Sequence, residues 1–221
     1  MLSGAHDAAP RERGESTVSR NVLPDGGLAD LERVLGPAHL DHLLPAGLPL
    51  VVDDALEPLV AQRAARTLAQ ADRTRHEAVG PDGFALGCIE LEERAPFELD
   101  RWWFQQVASA LGSDAMLRWM ARRTGIDPGD AIELAGHALG PGDQVGWHDD
   151  LRRGQRLGLV WFASTDRPRG GELLLAPRVA PRVIEPIFNR LVIFDARQPH
   201  AVRPVAGGVR LSLVGRTSTN P

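Results

Sequence analysis

The sequence predicts a mainly β fold, a double-sheet jelly roll covered by helices from the N-terminal half. Three observations predict it. From Ala131 onward the chain divides into eight strand-length segments separated by turn residues. Between residues 54 and 124, by contrast, apolar side chains recur at helical spacing. Two of the later segments, Leu157 to Ala163 and Leu191 to Phe194, are almost continuously apolar, the pattern of strands buried on both faces.

The elements follow in order. Residues 1 to about 24 are rich in charge, Gly, Pro and Ser without periodicity, and read as a disordered leader. Residues 25–221 then form a single domain, with the jelly-roll core at about 131–217; a chain of 221 residues suits one substantial core. Gly27 to Leu35 and His39 to Leu44 are short helix candidates. There His39 and His42 sit three apart, and a solvated helix surface accounts for them better than a metal pair. Leu48 to Asp53 reads as a strand. Asp54 is expected to cap a helix running to about Arg75, with Leu56, Leu59, Val60, Ala64 and Leu68 as its buried stripe. Gly80 to Gly83 reads as a turn and Phe84 to Leu91 as a strand. Pro96 opens a helix through Leu111, and Asp114 to Thr124 makes another. Trp102, Trp103, Phe104 and Trp119 give these helices large apolar bodies to pack on the outside of a sheet. The eight strands are 131–139, 144–149, 156–163, 171–176, 182–186, 190–195, 200–205 and 209–217.

One stretch organises the chemistry. In Gly-Trp-His-Asp-Asp, residues 146–150, His148 and Asp150 are two apart and project from one face of an extended segment. Asp149 points the other way. His200, arriving from a later strand, completes two imidazoles and one carboxylate. That set leaves coordination positions open and suits non-heme Fe(II) oxygen chemistry. Ten residues beyond His200 stands Arg210, with Ser212 on the same strand face; an arginine fork matches a carboxylate bidentately. The chain has no lysine, so a cation for a buried carboxylate must be an arginine. Taken singly, an H-x-D is a common loop sequence and a lone histidine on an apolar strand is usually core. The order and spacing of the whole set carry the reading.

With these residues the chain resembles the Fe(II)- and 2-oxoglutarate-dependent dioxygenases, in their prolyl-4-hydroxylase-like branch. Leu139 to Asp150 is similar to that branch's turn leading into H-x-D. Gly170-Gly171-Glu172-Leu173 is similar to its Gly-Gly-Glu-Leu strand start. Arg190 to Asp195 followed by His200 resembles its approach to the second histidine, and Val205 to Ser212 its closing segment. The likeness is clear over residues 131–217. It implies a double-stranded β-helix core and a metal site of His148, Asp150 and His200. It also implies Fe(II), 2-oxoglutarate as cosubstrate, O2 as oxidant, and Arg210 with Ser212 on the far carboxylate of 2-oxoglutarate. Leu139 stands where many members have a tyrosine that touches the cosubstrate, and Gln144 is the candidate to replace it. Asp150 occupies the position that is small in related halogenases, which implies hydroxylation. Trp147, Arg152 and Arg156 are the candidates to face the substrate, the arginines toward an anionic group on it. Glu172 is a candidate acceptor for a ligand imidazole.

Composition narrows the setting. The net charge is −4 with no basic stripe, which argues against a nucleic-acid partner. No apolar run approaches a membrane span. Cys88 is the only cysteine, so no internal disulfide forms, which fits a reducing cytoplasm. Abundant Ala, Arg, Gly and Pro without lysine reads as GC-rich, bacterial coding. A tailoring hydroxylation of an amino acid, a small peptide or an intermediate of secondary metabolism is the first expectation, and peptidyl, prolyl-type hydroxylation the second. The rival of another class is a non-catalytic, cupin-like metal-binding or sensor protein. Arg210-x-Ser212 argues against it, because plain metal binding has no use for that pair.

Overall fold

The computed structural model describes residues 48–79, 83–89, 99–151, 154–176 and 179–219. The expected leader, both short helix candidates with His39 and His42, Pro96, and Arg152 and Arg153 lie outside them. The described chain begins with β1 (Leu50–Val52), α1 (Pro58–Gln70), β2 (Arg73–Ala78) and β3 (Phe84–Ile89). Helices α2 (Leu99–Leu111) and α3 (Asp114–Thr124) follow. Then come β4 (Ala131–Leu139), β5 (Gln144–His148), β6 (Gln155–Phe162), β7 (Arg169–Gly170) and β8 (Leu173–Leu175). The chain closes with β9 (Arg182–Ile184), β10 (Leu191–Asp195), β11 (His200–Val202), β12 (Val205–Gly207) and β13 (Arg210–Ser218).

The strands form one antiparallel sheet in the order β1-β10-β6-β13-β4-β3-β5-β11-β8-β9, with β2 added beside β3 and β12 paired to β7 as a separate ribbon. The sheet curls into a half-barrel, so it has an outer and an inner face. Alternation on β6 sorts the two. Leu157, Leu159, Trp161 and Ala163 pack into the large cluster built with Val60, Leu68, Val107, Leu111, Met116 and Trp119 of the helices. Val160 and Phe162 face inward with Leu173, Leu175, Val192 and Phe194. Both apolar runs are thus buried on two faces, as expected of them. A second inner cluster joins Leu86, Leu139 and Val205. Among the described residues, no helix is long and apolar enough to cross a membrane.

Local chemistry explains the ends. Ser113 caps α3 by accepting from Met116 N at 3.1 Å, and Gly125 closes it in the left-handed region at φ 70°. Three expectations are corrected. Asp54 does not cap α1. It sits in a turn at φ 50°, and Glu57 caps the helix instead, accepting from Val60 N at 3.0 Å just before Pro58. Leu59 is 49 % exposed, because the buried stripe runs through Val60, Ala61, Ala64, Ala65 and Leu68. Residues 73–78 are a strand and not the end of a helix. Their polar, helix-favouring composition is overridden by six register pairs with β3, from Arg73↔Ile89 to Ala78↔Phe84. Of the expected strands, 171–176 shortens to β8, and 200–205 breaks at Arg203-Pro204 into β11 and β12.

Candidate functional site

His148 ends β5 and His200 begins β11, and the two are direct cross-strand neighbours. Between this pair and Val145↔Val202, three residues of β5 span what two residues of β11 cover. That irregularity is a β-bulge, and it turns both Val145 and His148 inward although they are three apart. Asp150 follows on the loop, where its N–H donates to Ala196 O at 3.0 Å, tying it to the segment that carries His200. One donor atom from each of His148, Asp150 and His200 lies within 4.8 Å of the others, and His200 Nε2 is 3.6 Å from Asp150 Oδ2.

The tautomers suit a metal. His148 Nδ1 lies 2.9 Å from Gly146 O and His200 Nδ1 2.9 Å from Gln198 O. A carbonyl only accepts, so each Nδ1 carries a hydrogen, which leaves Nε2 as the ligand atom of each ring. Burial and then the neighbouring His148 hold His200 down at about pKa 4, so it is neutral at ordinary pH. The rings stand 4.1 Å apart at 56°, and Phe194 packs edge-on against His200 at 4.9 Å. Two imidazole nitrogens and one carboxylate, converging on one side, fit a divalent iron with open positions.

On the same inner wall, Arg210 is 2 % exposed. Its guanidinium lies 5.0 Å over the Phe162 ring, Nη1 donates to Ser212 Oγ at 3.2 Å, and the buried Nε has no hydrogen-bond partner. Desolvation lowers its pKa to about 10, which still leaves it cationic. An almost fully buried cation with an unused N–H fits a carboxylate ligand. Room for it comes from the Gly-Gly pair: Gly171 sits at φ 75°, and a Cβ there would meet Arg210 Cδ at 2.9 Å.

The other expected site residues fare differently. Asp149 is exposed and accepts from Leu151 N at 3.3 Å, away from the triad. Gln144 is exposed and adjoins the inward Val145, so the alternation of the strand carries it to the outer face; it does not meet Arg210. Leu139 is fully buried beside Arg210 in the register, packed with Leu86 and Val205. Trp147 is half-buried within the bulge. Arg156 is held on Asp127 at 2.6 Å. Arg152 lies outside the described residues. Glu172 does not serve the ligand imidazoles, because backbone carbonyls hold both Nδ1 atoms.

Sequence reasoning missed three contributors. Gln155 is buried, and with its amide nitrogen turned to Asp150 it donates to Oδ2 at 3.0 Å and Oδ1 at 3.3 Å. Phe194 shields His200. Gly158 makes room for Phe194, since a Cβ there would lie 2.4 Å from its ring. A lone glycine inside an apolar run was the available signal for that close approach. Gln155 carried none.

The fold has known counterparts. Residues 134–216 match the model of the 2OG-Fe(II) oxygenase superfamily. None of the curated proteins matches the chain. Among solved structures, a prolyl-4-hydroxylase from Pseudomonas putida is 20% identical, with a TM-score of 0.59 over 83% of this chain and 98% of that one. A prolyl hydroxylase from Trichoplax adhaerens, in complex with a hypoxia inducible factor oxygen degradation domain peptide fragment, is 18% identical, with a TM-score of 0.60 over 81% and 86%. A 2OG-Fe(II) oxygenase family oxidoreductase from Burkholderia pseudomallei is 17% identical, with a TM-score of 0.59 over 89% and 95%. The segment similar to the family model spans the strands that carry Arg210 and all three convergent donors, and the chain shares its fold with the prolyl hydroxylases of known structure.

Proposed function

We propose that this protein hydroxylates an unactivated C–H bond of an amino acid, a small peptide or a natural-product intermediate. His148, Asp150 and His200 hold Fe(II), and Arg210 with Ser212 holds the far carboxylate of 2-oxoglutarate. Bound there, the metal and cosubstrate supply a two-electron oxidation in which O2 and 2-oxoglutarate are consumed and succinate and CO2 released. The chain's own work is placement. Gly146 O and Gln198 O fix the imidazoles, Gln155 orients Asp150, and Phe194 and the inner apolar cluster keep water from the site. Residues 25–221 act as one oxygenase domain, and the single cysteine supports a cytoplasmic setting. Trp147 remains the candidate for substrate contact; Arg156, engaged by Asp127, is a weaker one.

The observation that carries this reading is the convergence of the triad on the wall that also buries Arg210. A screen of amino acids and short peptides for substrate-dependent succinate formation tests it. His148→Ala, Asp150→Ala and His200→Ala are each expected to abolish that formation. Wild-type turnover in any one of them would remove that residue from the ligand set.

A further inference from the structure

His137 is a half-buried histidine that the triad does not use. It lies on β4 two residues before Leu139, on the same inward face. Across one strand boundary it pairs with Ser212, and across the other with Cys88. The next inward pair along β4 and β13 is Leu139↔Arg210. The register therefore sets an imidazole beside the Arg210–Ser212 pair, on the strand next to theirs.

His137 is partly exposed, on the face of β4 that it shares with Leu139. Among the described residues, neither ring nitrogen has a hydrogen-bond partner. Its pKa is pushed down to about 3, first by desolvation and then by Arg216, Arg210 and His76. It is thus a neutral ring, which carries one N–H donor and one acceptor nitrogen.

A carboxylate seated on Arg210 has about four acceptor positions on its two oxygens. The guanidinium fork covers one edge and the Ser212 hydroxyl reaches one further position. Leu139, beside Arg210, offers no donor, and Gln144 lies on the other face. We propose that His137 is a cosubstrate-binding residue that donates its ring N–H to the carboxylate held by Arg210 and Ser212. This rests on the function proposed above. Because the ring donates without a net charge, it adds a hydrogen bond without setting a further cation beside Arg210.

The test uses full-length, Fe(II)-loaded protein and titrates 2-oxoglutarate anaerobically by calorimetry, with no turnover. His137→Phe fills the space without a donor and is expected to raise the 2-oxoglutarate Kd about tenfold, as loss of a hydrogen bond to a charged group does. His137→Asn, which restores a side-chain N–H, is expected to recover part of that loss. In wild type, the ring N–H proton of His137 is expected to shift and become protected from exchange on addition of 2-oxoglutarate. An unchanged Kd in folded His137→Phe overturns the inference while the proposed function stands. If that variant does not fold, an unperturbed His137 N–H signal in the saturated wild type overturns it equally. Wild type that binds iron but no 2-oxoglutarate defeats the proposed function, and the His137 role with it.

Discussion

Arg210 is a cation almost wholly removed from water, and among the described residues desolvation is the one influence that moves its pKa. A buried charge without a countercharge is costly, and an apolar replacement of similar volume is often neutral or stabilising. Arg210→Met is therefore expected to hold or raise the thermal midpoint while weakening 2-oxoglutarate binding by roughly 10- to 100-fold. A lower midpoint with unchanged affinity would make Arg210 a structural residue. Gln155 acts one step further out, on the carboxylate of Asp150. Gln155→Leu is expected to weaken Fe(II) binding at least about tenfold, read by metal competition, with little change in 2-oxoglutarate affinity once iron is saturating. At this scale the spacing in the sequence singled out His148, Asp150 and His200, which the fold brings together, and Arg210, which it buries on the same wall. It was silent on Gln155, and it singled out Gln144, which is exposed. Gln144 precedes the β5 bulge and pairs with Ala85, and Gln155 reaches Asp150 from β6, a contact that no local pattern announces.

Among elements, β6 shows how packing reaches the site. Leu157, Leu159 and Trp161 bind the helices, and Val160 and Phe162 line the interior. Gly158 is the exception that admits Phe194, and Phe194 in turn backs His200. Gly158→Ala is expected to cost about 1–3 kcal/mol in unfolding free energy, as overpacking does. It should also weaken Fe(II) binding by displacing Phe194 from His200. A variant as stable as wild type, with unaltered metal affinity, would mean the ring moves aside freely. Helix α3 was legible to the residue because both its caps are written in local chemistry, Ser113 at one end and Gly125 at the other. Strand β2 was not legible, because Arg73–Ala78 has no alternation of its own and exists by pairing with β3.

For the whole molecule, the curled sheet concentrates unprotonated imidazoles in its interior, and this couples stability to pH. The folded pKa of His137 is lowered to about 3 from the ordinary value of 6.5. Between those values the unfolded chain binds the proton that the folded chain refuses. The contribution is therefore complete above pH 6.5 and is lost as pH falls toward 3. Urea unfolding from pH 7 down to 4 should show stability declining, with a shallower slope in His137→Phe than in wild type. Equal slopes would mean that His137 is no less protonated in the folded chain than in the unfolded one. The fold class was readable because two-face burial, strand length and turn placement agreed over residues 131–217. The curling that brings β5 and β11 to the same wall as β13 is a property of the full strand order and of no local segment.

The most direct measurement is anaerobic. Fe(II) is added to purified protein, then 2-oxoglutarate, and the visible spectrum is recorded. A weak charge-transfer band of the chelated keto acid is expected in wild type, lost in His148→Ala and shifted to higher 2-oxoglutarate concentration in Arg210→Met. Folded, iron-loaded wild type with no such band at saturating 2-oxoglutarate would contradict the cosubstrate assignment and leave a metal-binding jelly roll in its place.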